Sequence, residues 1–257
     1  MLFSEDFYAY PLIHLNETRS TNETLTQLCS QGPVADFTVI QADHQTAGKG
    51  QRGNHWEAAP GRNLLFGFVF HPLFMEARSQ FLLSKMVALA MKQTLDAYCE
   101  GIRIKWPNDI YWHDRKLCGI LIENILDGSS VAHCIVGIGL NVNQEAFESD
   151  APNPVSLRQI SGRELDRSEI LDQFMQRIQS YYGRLVRGEY DLLNTRYFES
   201  LYRTDALYPF TDEHGDFEGR IHHVEDDGHL LLVDGKGHLR RYAFKEVKYR
   251  INSREMV

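Results

Sequence analysis

Hydrophobic residues recur along most of the chain at helical or strand spacing. Helical spacing predicts helices at about 20–31, 76–99, 168–186 and 190–202. Short β-branched and aromatic runs predict strands at about 37–42, 63–70, 102–106, 117–126 and 131–142. The turn at 127–130 predicts that the last two strands form a hairpin. Ser20-Thr21-Asn22-Glu23 has the spacing of a capping box, which predicts that the first helix begins here.

The hydrophobic pattern changes near residues 203–206. Beyond this point short β-type runs (FEGRIHHV, HLLLVD, LRRYAF) alternate with glycine-containing turns, which predicts a small antiparallel β-barrel. Residues 145–162 carry proline and glycine without periodicity and predict a long loop. We therefore predict an α+β domain over residues 1–204 and a β domain over residues 205–257.

Composition narrows the class of protein. The chain has 257 residues, a formal net charge of -8 and four cysteines without a C-x-x-C pair, so neither a disulfide framework nor a zinc site is predicted. The sequence has no membrane-spanning apolar run and no secretion signal, so a cytoplasmic location is expected. Because broad nucleic-acid binding needs a basic face, an anion site in this acidic chain must be local.

One stretch, residues 45–56 (QTAGKGQRGNHW), combines three glycines and two cations with no acidic residue. Its glycines formally fit G-x-G-x-x-G, but a second predicted strand follows instead of a helix, which excludes the dinucleotide fingerprint. The endings required for a P-loop and the partner motifs of a kinase are also absent. Two interpretations remain: a loop that binds an anion through its backbone, Lys49 and Arg52, or a basic loop in solvent.

A second stretch, residues 105–111 (KWPNDIY), places polar side chains at the end of a strand. Pro107 removes a ladder donor and ends the strand, which leaves Asn108 and Asp109 on a tight turn. Polar groups at a strand end are well placed for a ligand. The alternative is an Asx-turn satisfied by its own side chains.

Two further stretches combine glycine with apolar strand residues. In residues 115–123 (RKLCGILIE), Gly119 indicates close approach by a ligand or another chain, and Lys116 can reach the same ligand unless it lies in solvent. In residues 136–143 (VGIGLNVN), two glycines at alternating positions clear one face of a strand for a flat group. A β-bulge is the alternative for the second stretch.

Together and in this order, the four stretches resemble the motifs of the biotin protein ligases, over about residues 20–143. The resemblance implies a class II synthetase-like α+β fold, with a mixed, mainly antiparallel sheet and helices on one face, followed by a small SH3-like β-barrel. It implies that residues 1–204 bind biotin and ATP as substrates, with Mg²⁺. It also implies formation of biotinyl-5'-AMP and transfer of biotin to a lysine of a biotin carboxyl carrier protein.

The resemblance also assigns roles to residues. The catalytic residues it implies are Lys116, Asp109, Lys49 and Arg52. The biotin-binding residues it implies are Ser20, Thr21, Asn22, Gln45, Gly48, Lys49, Gly50, Gln51, Lys116, Gly119 and Leu121. The nucleotide-binding residues it implies are Arg52, Trp56, Asn108, Gly137, Gly139 and Asn141. Asp109 acts either as a hydrogen-bond acceptor or through magnesium, and the two roles stay open.

The sequence departs from the family pattern at two loop positions and at its start. Gln51 and Asn54 replace cations found in many relatives, which weakens the expected grip of the loop on the adenylate. The short segment before Ser20 leaves no room for a winged-helix domain, so a ligase without a DNA or membrane partner is expected. Pairing of two large domains through their sheets stays open.

Two rival functions remain. A lipoate or octanoate ligase would share the fold and the carboxylate chemistry, but its acyl chain needs no partners for a ureido group, whereas Ser20 to Asn22 with Gln45 favour biotin. A non-catalytic module that senses biotin or a nucleotide is the rival from another class. The presence of both Lys116 and Asp109 favours the enzyme.

Overall fold

The computed structural model describes residues 9–50, 54–148 and 153–251, and within these ranges it contains two β-sheets and five α-helices. The strands of the first sheet are β1 (Leu12–Thr18), β2 (Thr38–Gln45), β3 (Leu64–Phe70), β4 (Ile102–Lys105), β5 (Asp109–Trp112), β6 (Arg115–Asp127) and β7 (Ser130–Leu140). The strands of the second sheet are β8 (Tyr208–Asp212), β9 (Gly215–Val224), β10 (Leu230–Asp234), β11 (Leu239–Tyr242) and β12 (Lys248–Tyr249). The helices are α1 (Thr21–Gln31), α2 (Phe81–Leu95), α3 (Leu157–Ser161), α4 (Arg167–Val186) and α5 (Tyr190–Ser200).

The first sheet has the strand order β1-β2-β3-β7-β6-β5-β4. Only the pair β1 and β2 is parallel, so the predicted mixed, mainly antiparallel sheet is confirmed. The predicted hairpin joins β6 to β7, and Gly128 in its turn adopts a φ of 58°, where glycine is favoured. Strands β1 and β5 were not predicted, since β1 is mostly exposed and β5 has only four residues.

Helices cover both faces of this sheet. On one face α4 places Phe174 edge-on against Phe66 and Phe68, with ring centroids 5.4 and 5.7 Å apart. On the opposite face Leu25 of α1 packs with Ile40 and with buried residues of β3 and β7. The expectation of helices on one face alone is therefore wrong for α1. The central strand β3 is buried at every position because both of its faces are covered.

Helix α1 begins at Thr21 as predicted, but without the capping box. The Ser20 side chain makes no capping hydrogen bond, and the Glu23 carboxylate binds Lys49 and Arg19 instead. A capping box does form at Ser156 and begins α3, within the segment predicted to be a loop. The Ser20 hydroxyl is consequently not used by its own helix.

The second sheet has the strand order β11-β10-β9-β8-β12, and all of its neighbouring strands are antiparallel. The predicted antiparallel β structure after residue 205 is confirmed, although β11 and β12 are edges, so the described strands form an open sheet and not the closed barrel that was expected. Helices give way to strands between Ser200 and Tyr208. In the part of the chain that the structure describes, no helix is long and apolar enough to cross a membrane.

Candidate active site

A cleft of about 990 Å³ lies between the first sheet and the segment that joins β11 to β12. The predicted site residues that line it are Ser20, Thr21, Asn22, Gln45, Lys49, Gly50, Trp56, Asn108, Asp109, Lys116, Gly119, Leu121, Gly137, Gly139 and Asn141. Gly48 lies beside it, and its carbonyl accepts a hydrogen bond from the Trp56 amide at 3.0 Å. Gln51 and Arg52 are outside the described residues.

One end of the cleft is polar and uncharged. The backbone amide and the hydroxyl of Thr21 both donate to Gln45 Oε1, at 2.8 and 3.2 Å. Because these bonds use the amide oxygen, Gln45 Nε2 is left as a donor directed toward Gly48. The buried Ser20 adds a hydroxyl that its helix does not use. This end therefore offers both donors and acceptors to a neutral polar group.

The glycine at position 137 is explained by the close approach of α1 to β7. A Cβ at Gly137 would overlap the side-chain oxygen of Asn22. The Asn22 amide nitrogen donates to Glu123 Oε2 at 2.7 Å, which fixes the orientation of the amide because a carboxylate only accepts. Gly67, the register partner of Gly137, leaves room for Leu25 in the same way. The first turn of α1 can therefore reach the floor of the cleft.

Gly119 and Gly139 are register partners on β6 and β7, and together they form a flat seat for the ring of Trp56. A Cβ at Gly119 would lie 2.8 Å from Trp56 Cζ3, and one at Gly139 would overlap the indole nitrogen. The flat group that packs on these glycines is therefore the chain's own indole. The described ends of the glycine-rich stretch pair as a hairpin through Lys49 and His55, which places Trp56 here.

Lys116 lies beside this seat and forms an ion pair with Asp109. Its ammonium nitrogen is 2.8 Å from Asp109 Oδ1 and 5.6 Å from the centre of the Trp56 ring. The lysine and aspartate side chains are 27% and 21% exposed, so the charges face the cleft in a partly desolvated setting. Asn108 fastens the turn before Asp109 to β6, since its side-chain amide donates a hydrogen bond to the Ile120 carbonyl. The cleft thus presents a positioned cation with a carboxylate partner.

Several buried polar atoms of residues that line the cleft lack hydrogen-bond partners among the described residues. They include the indole nitrogen of Trp56, Asn141 Oδ1 and Asn22 Oδ1. The Asn141 amide nitrogen donates to the Val155 carbonyl at 3.1 Å, so its oxygen is oriented but unused. Buried polar groups are almost always paired in native proteins, and an unpaired donor and acceptor in a cleft are typical of a ligand site.

The cleft contains cations that the sequence reasoning missed. Lys105 Nζ lies 4.8 and 5.0 Å from the ring centres of Tyr111 and Tyr249, and burial lowers the pKa of its ammonium. It forms no ion pair with any carboxylate in the described ranges. Lys245 and Lys248 approach from the second sheet. Lys105 stands inside a motif that we had singled out, but only the fold brings the second sheet beside it.

Charge in the cleft is opposite to that of the whole chain. Its lining contains five lysines, at positions 49, 105, 116, 245 and 248, against the carboxylates of Asp109 and Glu57, whereas the chain carries -8. Lys49 is held by Glu23, with Nζ 2.6 Å from Oε1, and this hydrogen bond lowers the pKa of Glu23. An anion that recruits Lys49 must therefore compete with Glu23. The excess of cations favours an anionic ligand.

One group of side chains in the described ranges has the spacing of a metal site, but it lies outside the cleft. It consists of Glu225, Asp227 and His229. The guanidinium of Arg241 binds both carboxylates, at 2.6 Å each, so these residues are satisfied as a salt-bridge network. We assign no metal to them.

Comparisons with known proteins agree on one family. Residues 15–141 match the biotin/lipoate A/B protein ligase family. The bifunctional ligase/repressor BirA of Bacillus spizizenii is 29% identical over 245 residues, which are 90% of this chain and 72% of that protein. The biotin–[acetyl-CoA-carboxylase] ligase of Paracoccus denitrificans is 29% identical over 232 residues, 85% of this chain and 92% of its own length.

Solved structures extend the similarity to nearly the whole chain. The biotin protein ligase from Aquifex aeolicus in complex with biotin and ATP has a TM-score of 0.76 at 26% identity, and the match covers 94% of this chain and 99% of that one. The enzyme from Helicobacter pylori with bound biotinylated ATP has a TM-score of 0.58 at 19% identity, which is a likeness of fold. The similarity therefore includes both sheets and the cleft between them.

Proposed function

Because the chain belongs to the biotin/lipoate A/B protein ligase family, we propose that it is a biotin–protein ligase acting on a carrier protein. A carboxylate oxygen of biotin attacks the α-phosphorus of ATP, which forms biotinyl-5'-AMP and releases pyrophosphate. The amine of an acceptor lysine then attacks the acyl carbon, forms an amide and releases AMP. The observation that carries this proposal is the ion pair between Lys116 and Asp109 inside a cationic cleft.

Lys116 supplies the positive charge that the first step of the reaction requires. Two unit anions about 4 Å apart repel by roughly 4 kcal/mol at an effective dielectric near 20, so a cation between them lowers the barrier. Lys116 lies beside the glycine seat, next to the polar end of the cleft. We assign it to the biotin carboxylate and to the charge that develops at phosphorus. Asp109 orients its ammonium.

The polar end of the cleft suits the ureido group of biotin. This group has two N–H donors and one carbonyl acceptor, and the cleft offers the Ser20 hydroxyl and the Gln45 amide nitrogen. The apolar end of lipoate or octanoate would leave the Ser20 hydroxyl and the Gln45 amide without hydrogen-bond partners, which is unfavourable when they are buried. The hydrogen bonds from Thr21 to Gln45 support biotin because they hold that amide in one orientation.

The rest of the cleft suits the nucleotide. Lys49 is assigned to the phosphates, together with Lys105, Lys245 and Lys248. Arg52, which lies outside the described residues, keeps this role as a prediction of the sequence. Magnesium enters with ATP as part of the substrate, and Asp109 is a cleft carboxylate that can share it, since Mg²⁺ is commonly held by one or two carboxylates plus substrate phosphates. Trp56 and Asn141 offer a flat ring and an oriented amide to the base and ribose.

The acceptor and the domain roles complete the proposal. The carrier is a biotin carboxyl carrier protein or domain, such as that of a carboxylase. Residues 1–204 act as the catalytic domain and residues 205–257 close one side of the cleft. A cytoplasmic location and a ligase without DNA-binding activity stay predictions of the sequence.

The proposal is tested by biotin-dependent exchange between pyrophosphate and ATP, run beside lipoate and octanoate. Wild-type protein should exchange with biotin only, and Lys116→Ala should lose the activity. Lys92→Ala is a matched control, because Lys92 is also ion-paired, to Asp96 at 2.7 Å, but lies on α2 outside the cleft. Exchange with lipoate or octanoate instead of biotin would reassign the substrate. Binding of biotin without any exchange would favour a sensing module.

A further inference from the structure

Lys85 is a charged residue in an unusual place. It lies on α2 with its side chain only 1% exposed, between the first sheet and the second. Its ammonium donates to Asn194 Oδ1 at 2.8 Å, to the Val224 carbonyl at 3.1 Å and to Asp226 Oδ1 at 3.4 Å. Burying a charge is unfavourable unless every donor is satisfied, and here the three acceptors come from α5, from the end of β9 and from the turn that follows β9.

Two of these acceptors hold the turn between β9 and β10, residues 225–229: Val224 ends the strand before it and Asp226 lies within it. Gly228 in this turn adopts a φ of 92°, and a Cβ there would lie 2.8 Å from the Phe81 ring. The Gly228 carbonyl accepts a hydrogen bond from the Trp106 indole at 3.0 Å. The turn therefore contacts α2 and the KWPND stretch at the same time.

A second contact reaches the same stretch through α5. The Tyr197 ring lies 5.9 Å from the Lys85 ammonium, and its hydroxyl donates to the Pro107 carbonyl at 3.4 Å. Trp106 and Pro107 immediately precede Asn108 and Asp109. One buried cation is thus linked, by one hydrogen-bonded turn and one aromatic ring, to the turn that carries the Asp109 carboxylate into the cleft.

We propose that Lys85 is a positioning residue for the ligase reaction: it anchors the β9–β10 turn, and this turn sets the place of Trp106 and thereby of Asp109. The inference rests on the proposed function. It gives the second sheet a role in the adenylation step that does not require contact with the substrate. Because the Lys116 ammonium is oriented by Asp109, a shift of the turn displaces the reacting cation.

The first test is Lys85→Met, which keeps the length of the side chain and removes its charge and donors. A misplacement of about 1 Å can lower a rate by up to about 100-fold, so we expect kcat for pyrophosphate exchange to fall about 10- to 100-fold. The KM for biotin should change less than about twofold, since the polar end of the cleft is untouched. In ¹⁵N-tryptophan spectra, the indole N–H resonance of Trp106 should move toward its unfolded position.

A matched pair of glycine variants tests the same link from the other side. Gly228 and Gly237 both occupy turns of the second sheet with φ values of 92° and 84°, but a Cβ at Gly237 meets nothing within 4 Å. Gly228→Ala should reproduce the loss of kcat and the shift of the Trp106 resonance. Gly237→Ala carries a similar backbone penalty and should change neither. This pair decides the question if Lys85→Met does not fold.

The outcomes separate this inference from the proposed function. Wild-type kcat and an unchanged Trp106 resonance in folded Lys85→Met, with only a lower unfolding midpoint, would make Lys85 a structural residue and overturn the inference. Equal effects of the two glycine variants would also overturn it. If wild-type protein shows no exchange, the proposed function fails, but the Trp106 resonance still reports whether Lys85 positions the turn.

Discussion

Lys116 Nζ lies 2.8 Å from Asp109 Oδ1, although the two residues are not partners in the strand register. Asp109 is paired with Gly119 and Lys116 with Tyr111, and the register shifts between Ile110 and Tyr111. The ion pair therefore crosses diagonally from β5 to β6 beside an irregularity. Irregular pairings of this kind re-aim side chains and are frequent next to active sites.

The diagonal pair predicts that the two residues act as a unit. Lys116→Ala should lower the rate of biotin-dependent exchange by about 100- to 1000-fold, the usual loss when one preorganised charge is removed from a reacting centre. Asp109→Asn should lower it less, because the lysine stays but is no longer oriented. The double variant should be no slower than Lys116→Ala. Exchange rates of all four proteins measure this, and additive losses would contradict it.

The glycine seat predicts a steric effect at Gly139. Gly139→Ala would overlap the Trp56 indole, so we expect it to displace the ring and lower exchange about as much as Trp56→Ala. The double variant should resemble either single variant, because the seat is then already lost. Gly235→Ala is the control, since a Cβ there lies 4.0 Å from its nearest neighbour. Tryptophan fluorescence and exchange rates together check the prediction, and wild-type behaviour of Gly139→Ala would refute it.

The ion pair between Glu23 and Lys49 predicts competition with ATP. Glu23→Gln should release Lys49 and lower the KM for ATP, but by no more than about fivefold, because exposed ion pairs contribute roughly 0–1 kcal/mol. Arg19→Ala is the control, since Arg19 binds the same carboxylate and lies outside the cleft. Steady-state kinetics at varied ATP measures the effect. A higher KM in Glu23→Gln would mean that the pair positions the loop instead.

Asp234 predicts how stability depends on pH. Its carboxylate accepts hydrogen bonds from the His238 and Lys236 amides and from Arg240, which lowers its pKa from 3.8 to about 2. The stabilisation is therefore complete above pH 3.8 and is lost as the pH falls toward 2. Asp234→Asn should unfold at lower urea than wild type at pH 7, and the difference between the two unfolding midpoints should narrow as the pH falls from about 4 toward 2.

The control for this comparison is Asp96→Asn, because among the described residues the Asp96 carboxylate forms an ion pair only with Lys92, at the end of α2. Its unfolding midpoint should differ little from wild type at either pH. A difference for Asp234→Asn that stays constant from pH 7 to pH 3 would show that the charge of Asp234 does not carry the stabilisation.

The sequence predicted a strand or helix correctly where the segment is buried and its hydrophobic residues follow the period of that element. β3, β6 and β7 are apolar and long, and their ranges were close, whereas the exposed edge strand β1 gave no signal. The capping box at Ser20 failed for a tertiary reason, since Glu23 finds a cation in the glycine-rich stretch and leaves its own helix end. Rules based on neighbouring residues cannot predict an ion-pair partner that only the tertiary fold brings close.

The same limit applies to the cleft. Most of the residues that the motifs predicted do line the cleft, because motifs near the ends of neighbouring strands come together at the same end of those strands. Lys105, Lys245 and Lys248 were missed, since their role depends on the second sheet folding back on the first. The sequence predicted that Gly119 and Gly139 leave room for a ligand, whereas in the fold the Trp56 indole packs against both glycines.

Buried residues from both sheets belong to one hydrophobic cluster, in which Phe210 and Leu232 of the second sheet are continuous with Met86 of α2 and Phe66 of β3. Two sheets that share a core cannot lose their packing one at a time without exposing apolar surface on the other. We therefore expect the boundary near residues 203–206 to be a change of architecture within a single cooperative folding unit. Heating should melt the whole chain in one calorimetric transition, and a fragment cut at this boundary should not hold its structure.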